Sequence, residues 1–198
     1  MDRFIFDLDG TLISLPVAWE RVRAEFKGLT GTDLEFNPFF LDFQVVTSKN
    51  PELRRPMLDV IDRYEGLAVD AAGLKEGARE ALSSLSSRTK LSLVTMQGPR
   101  AASRIMERLD IGRFFEGRYL TREDSLDRVA QLGMALERLG SPKDETVFVG
   151  DRRNDLRAAR EVGLRFVMIR SQADEPPADE IFRTVRDFAS SHWVVATG

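Results

Sequence analysis

The 198-residue chain contains no cysteine, which excludes disulfide staples, thiolate nucleophiles and cysteine-held metals. It has a single histidine, too few for a multi-histidine zinc site, so any metal must be held by oxygen. No apolar run reaches the ~18 residues that a membrane span needs. The N-terminus, MDRFIFD, carries acid early and lacks a small-residue cleavage site, so neither a span nor a signal peptide is expected and the cytoplasm is the expected compartment. Nor does one sign of charge dominate: 29 basic and 32 acidic residues are interspersed, with a net charge of −3. That pattern argues against nucleic-acid and membrane partners and leaves a small anionic substrate, met by local basic groups. With 42% apolar residues the chain can bury a sizeable core, as one domain or as a core domain with a modest insertion.

Short apolar runs at 3–6 (RFIF), 91–94 (LSLV), 147–149 (VFV) and 166–169 (FVMI) predict buried parallel strands, with a weaker strand at 117–120. Between them, apolar and alanine positions three and four apart predict helices over 75–87, 99–109, 127–139 and 153–162. Strands alternating with helices of this length predict an α/β fold, a Rossmann-like open parallel sheet built from right-handed crossovers. Residues 14–72 break the rhythm and read as an inserted helical cap, leaving 1–13 and 73–198 as the core. Within the insert a helix is expected over 16–27, opened by Pro16, and another within 51–65, where Pro56 either kinks it or marks its start. Phe36, Phe39, Phe40 and Phe43 stand close to helical spacing, as a small core of the insert or as a lid. Towards the end, QADEPPADE reads as a loop and 180–189 as a closing helix.

In an open parallel sheet, ligands bind beyond the carboxyl ends of the strands. The chemistry-bearing residues gather there. Asp7 ends the first strand and Asp9 follows, with Gly10 and Thr11 suited to a tight turn. Thr95 ends LSLVT, Arg128 starts the helix 127–139, Asp151 ends VFVGD, and Asp155 lies one helical turn on. Carboxylates at the ends of separate buried strands repel one another unless a cation lies between them, and a hard ion such as Mg2+ suits an all-oxygen donor set. A threonine hydroxyl and an arginine nearby are what phosphoryl oxygens need. Such a cleft permits Asp7 to attack phosphorus and Asp9 to serve as general acid and then base.

FDLDGTL at 6–12, Thr95 after LSLV, Arg128 and VFVGDRRND at 147–155 resemble the four motifs of the haloacid dehalogenase (HAD) superfamily, in particular its phosphoglycolate-phosphatase-like members with a small helical cap. The resemblance spans nearly the whole chain. It implies a Mg2+-dependent phosphatase acting on a small phosphorylated metabolite through an aspartyl phosphate, as a monomer or homodimer. Asp7 would be nucleophile, Asp9 acid/base, and Thr95 and Arg128 phosphate ligands. Asp7, Asp9, Asp151 and Asp155 would hold metal, Asp9 through its backbone carbonyl. The family usually has lysine at the third motif, often followed by proline, where this chain reads SLDRVAQL, and Arg122 is the other candidate for that cation. Arg128 could instead pair with Asp124 or Asp127 as a solvated helix-start charge, and Asp155 could serve only its helix terminus. Gln97 reads as a loop residue able to add a hydrogen bond, His192 as a surface or packing residue, and Arg152 and Arg153 as solvated or substrate-attracting. A phosphomutase, a metal-free dehalogenase and a non-catalytic binding module are the competing functions.

Overall fold

A computed structural model describes residues 3–37, 39–169 and 178–194. Its strands are β1 Arg3–Asp7, β2 Ile13–Ser14, β3 Gly73–Leu74, β4 Leu91–Val94, β5 Tyr119–Leu120, β6 Thr146–Gly150, β7 Arg165–Ile169 and β8 Glu180–Phe182. Its α-helices are α1 Trp19–Thr30, α2 Phe39–Lys49, α3 Arg54–Ala68, α4 Ala78–Ser86, α5 Pro99–Arg108, α6 Arg128–Leu139, α7 Arg153–Val162 and α8 Val185–Ala189. Six strands form one sheet in the order β5-β4-β1-β6-β7-β8, and every neighbouring pair is parallel. β1 thus lies in the middle of the sheet, where a continuous apolar run is required because both faces are covered.

Period-two alternation divides those faces. Ile5, Phe148, Phe166 and Met168 pack with Leu132, Ala135, Leu136, Leu139, Ala158, Ala159 and Val162 of α6 and α7. On the opposite face the rings of Phe4 and Phe6 meet Phe188 of α8 at 6.4 and 6.2 Å. Truncating one of these buried rings to alanine would cost about 3–5 kcal/mol.

The chain divides into two compact units, Met1–Ser14 with Ala72–Gly198, and Leu15–Ala71. A two-stranded antiparallel pair, Ile13 opposite Leu74 and Ser14 opposite Gly73, ties together the two crossings between them. The second unit is helical. Phe26 of α1 packs against Phe36, Phe39 and Phe43 at 5.0, 5.3 and 6.3 Å, so these rings share a small core of their own.

The structure corrects several expectations. Pro16 does not open a helix: residues 15–18 take tight turns, with the amide of Val17 donating to the Leu15 carbonyl and that of Trp19 to Val17, and α1 begins at Trp19. Pro56 neither starts nor breaks α3; it lies in the first turn, where a missing N–H costs nothing. Residues 75–77 precede α4, with Gly77 at φ 85° blocking a longer helix. The segment 180–189 is not one helix, because Glu180–Phe182 extends the sheet alongside β7 and Thr184 caps α8. The expected loop QADEPPADE lies largely outside the described residues.

Candidate active site

Strand register assembles the site. Asp7 of β1 is level with Val94 of β4, and Phe6 is level with Val149 of β6. Thr95 and Asp151, each one residue beyond its strand, therefore emerge beside Asp7 at the carboxyl edge. The chain then doubles back: the amides of Leu12 and Ile13 donate to the Leu8 carbonyl at 2.9 and 3.0 Å, and that of Gly10 to Ile13 at 2.9 Å. Gly10 is required here twice over. Its φ is +91°, and a Cβ would stand 2.2 Å from Asp151 Oδ2, so the absence of a side chain is what admits that carboxylate. The β2–β3 pair then brings Lys75 back to this loop, where its ammonium donates to the Gly10 carbonyl.

On the other side, the Arg152 amide donates to Asp155 Oδ2 at 3.2 Å as α7 begins. That contact is the helix-terminus role allowed for from sequence. Asp155 does more, however, because its other oxygen faces inward. Asp7, Asp151 and Asp155 each present a carboxylate oxygen, and these three atoms lie within 4.8 Å of one another. Gly150 makes room for this, since a Cβ there would come within 3.0 Å of Asp155. A hard divalent cation fits this oxygen-only donor set and the glycine-walled space beside it. Among the described residues the Asp9 carboxylate does not belong to the group; it stands 4.0 Å from Arg152 Nη2.

Arg128 completes the cluster. It is the first residue of α6, whose Asp127 cap accepts the Val129 amide at 2.9 Å, so its side chain is launched from a fixed helix start. Its Nη2 donates to Asp7 Oδ1 at 2.8 Å, its Nε stands 3.2 Å from Asp155 Oδ1, and its Nη1 donates to Gln131 Oε1 at 3.0 Å. The alternative pairing is not found, since Asp124 takes the Thr121 amide and Arg138, and Asp127 serves as the cap. Arg122 is buried, with Nη1 donating to the Met96 carbonyl at 3.0 Å. Thr95 is fully buried and its hydroxyl donates to Gln97 Oε1, while the Gln97 amide donates back at 3.2 Å. Gln97 therefore orients Thr95.

Burial pushes the Asp7 carboxyl well above the usual carboxylate range; Arg128 draws it back, while Asp155 and Asp151 raise it further. Burial also raises Asp151, from 3.8 to about 6, reinforced by Asp155 and Asp9 and opposed by Arg152 and Lys75. Both shifts describe negative charge crowded in a poorly solvated place.

Sequence reading singled out neither Lys75 nor Gln131. The first depends on a strand pair too short to recognise. The second carries a signal in retrospect, a polar residue on the buried stripe of α6 four before Ala135 and three after Arg128. His192 lies elsewhere, with the side chain 62% exposed and its ring against Trp193 at 5.1 Å.

A family model described as haloacid dehalogenase-like hydrolase matches residues 1–163. The chain is similar to phosphoglycolate phosphatase from Pseudomonas savastanoi pv. phaseolicola, 26% identical over 202 residues, covering 88% of this chain and 74% of that protein. Among solved structures it resembles CbbY from Rhodobacter sphaeroides in complex with phosphate, with a TM-score of 0.71 and 15% identity over 95% of this chain and 96% of that one. It also resembles L-2-haloacid dehalogenase from Xanthobacter autotrophicus, with a TM-score of 0.68 and 13% identity over 96% and 97% of the two chains. The fold is thus shared by proteins named for different chemistry, and side chains must choose between them.

Proposed function

The chain belongs to the haloacid dehalogenase-like hydrolase family and is an enzyme of that family, and on that premise we propose that it is a Mg2+-dependent phosphatase that hydrolyses a small phosphomonoester through a phosphoaspartate on Asp7. The observation that carries this reading is the convergence of three carboxylate oxygens within 4.8 Å on a residue, Asp7, that also receives Arg128. A metal-free dehalogenase needs no such group, and a non-catalytic binding module commonly lacks one of the acids.

The metal would be held by the side chains of Asp7, Asp151 and Asp155 with the backbone carbonyl of Asp9. Once bound it would supply positive charge that lets an anionic nucleophile approach an anionic phosphoryl group. The remaining steps belong to the chain. Arg128 grips Asp7 Oδ1 and offers cationic charge to the phosphoryl oxygens, and the Thr95 hydroxyl, whose one proton goes to Gln97 Oε1 without substrate, turns to donate to them. Asp7 attacks phosphorus as the ester bond breaks, and Asp9 gives its proton to the departing oxygen. Asp9 then takes a proton from water, which attacks the phosphoaspartate, releases phosphate and restores Asp7. The family's cap would correspond to the inserted unit, Leu15–Ala71. Similarity to phosphoglycolate phosphatases supports a small phosphoacid as the substrate of this chain, and the proposed compartment is the cytoplasm.

The test is phosphate release from p-nitrophenyl phosphate with Mg2+ and with EDTA. Activity should require Mg2+ and fall to background in Asp7→Asn. Substantial turnover by that variant, or halide release from a 2-haloacid in EDTA, refutes the reading, and a phosphorylated product without net phosphate release would indicate a phosphomutase.

A further inference from the structure

Gln131 is fully buried on α6 and makes more contacts than packing requires. Its Nε2 faces three carbonyl oxygens, of Thr95 at 3.1 Å, Thr121 at 2.9 Å and Ser125 at 3.0 Å. These belong to the residue after β4, the residue after β5 and the turn that leads to α6. Carbonyls only accept, so the amide nitrogen must face them, and its two protons are shared among the three. The other end of the amide is thereby determined as well: Oε1 must point away from the carbonyls, and there it accepts from Arg128 Nη1 at 3.0 Å.

Arg128 is consequently held at three separate nitrogens, by Asp7, Asp155 and Gln131. Two carboxylates alone would let the guanidinium rock about the line joining them, whereas a third acceptor in its plane removes that freedom. We propose that Gln131 is a positioning residue that fixes the plane of the Arg128 guanidinium against Asp7. In this arrangement a buried, uncharged amide links the loop bearing Thr95 to the cation beside the nucleophile. The proposal rests on the reading of Asp7 as nucleophile. It also explains how an arginine can work here, since a lysine ammonium is a point charge with no plane to be set.

The test is a double-mutant cycle between Gln131→Met and Arg128→Lys, read as kcat and KM for p-nitrophenyl phosphate with Mg2+. In the otherwise native enzyme Gln131→Met should lower kcat about tenfold and leave KM within about threefold. In the Arg128→Lys background the same change should cost at least about threefold less, because the contact to the guanidinium is already gone and only those to the three carbonyls remain to be lost. Equal losses in both backgrounds would mark Gln131 as merely structural and overturn the proposal. A second measurement does not need the Gln131 variant to fold or the enzyme to be a phosphatase. The Gln131 carboxamide NMR signals should move on Arg128→Lys, and unchanged signals overturn the proposal. Inactivity of the native protein alongside moved signals would defeat the nucleophile reading alone.

Discussion

Asp151→Asn should make the metal-free protein more stable at neutral pH, although it removes a residue at the centre of the site. Burial and the neighbouring acids raise the Asp151 carboxyl from 3.8 to about 6. That gap corresponds to roughly 3 kcal/mol at about 1.4 kcal/mol per pH unit. The side chain is 21% exposed, so solvent screens part of it and about 2 kcal/mol is the expected effect. Between pH 3.8 and about 6 the folded chain keeps a proton that the unfolded chain has released. Stability therefore declines as pH rises through this window and levels off above it. Asparagine keeps the shape without the charge. In EDTA the variant and the native protein should unfold together near pH 4 and diverge with rising pH. At pH 7.5 the variant should melt higher by roughly 4–8 °C. Mg2+ should then raise the native midpoint and close the gap, because binding to the folded state alone stabilises it. A variant equally or less stable than the native protein at pH 7.5 in EDTA would refute the claim that the site carries uncompensated charge.

Gly10→Ala should be destabilising by about 1–3 kcal/mol in urea titrations and should weaken Mg2+ binding measured by calorimetry, because the new methyl would stand 2.2 Å from Asp151 Oδ2; a neutral outcome would mean that the turn is not constrained as described. Thr95→Val should cost about 1–3 kcal/mol by leaving the buried Gln97 amide without its acceptor, and should weaken competitive inhibition by inorganic phosphate. Unaltered phosphate inhibition would remove Thr95 from the anion site.

Much of this protein can be read without coordinates. The burial of β1 on both faces is legible because Phe4, Ile5 and Phe6 run apolar without a break, which only a strand covered on both faces requires. Asp7, Thr95 and Asp151 are legible for a related reason: each directly ends or follows such a run, and parallel register carries strand ends to one edge of the sheet. Local sequence suffices wherever the deciding interaction is local. It fails where partners are distant. The strand Glu180–Phe182 exists because β7 offers a free edge, which no periodicity within those residues reports, and the two-residue pair that delivers Lys75 to Gly10 is too short to leave a pattern. The sequence puts Arg128 at the third motif with Arg122 as the other candidate cation, and the phase of α6 turns Arg128 onto Asp7 while one Arg122 nitrogen meets the Met96 carbonyl. Composition and motif spacing determine which chemical groups are present and at which end of the sheet they emerge. Side-chain direction, and with it the three-way hold on Arg128, is decided by tertiary packing, since it depends on helix phase and on carbonyls contributed by residues remote in the chain.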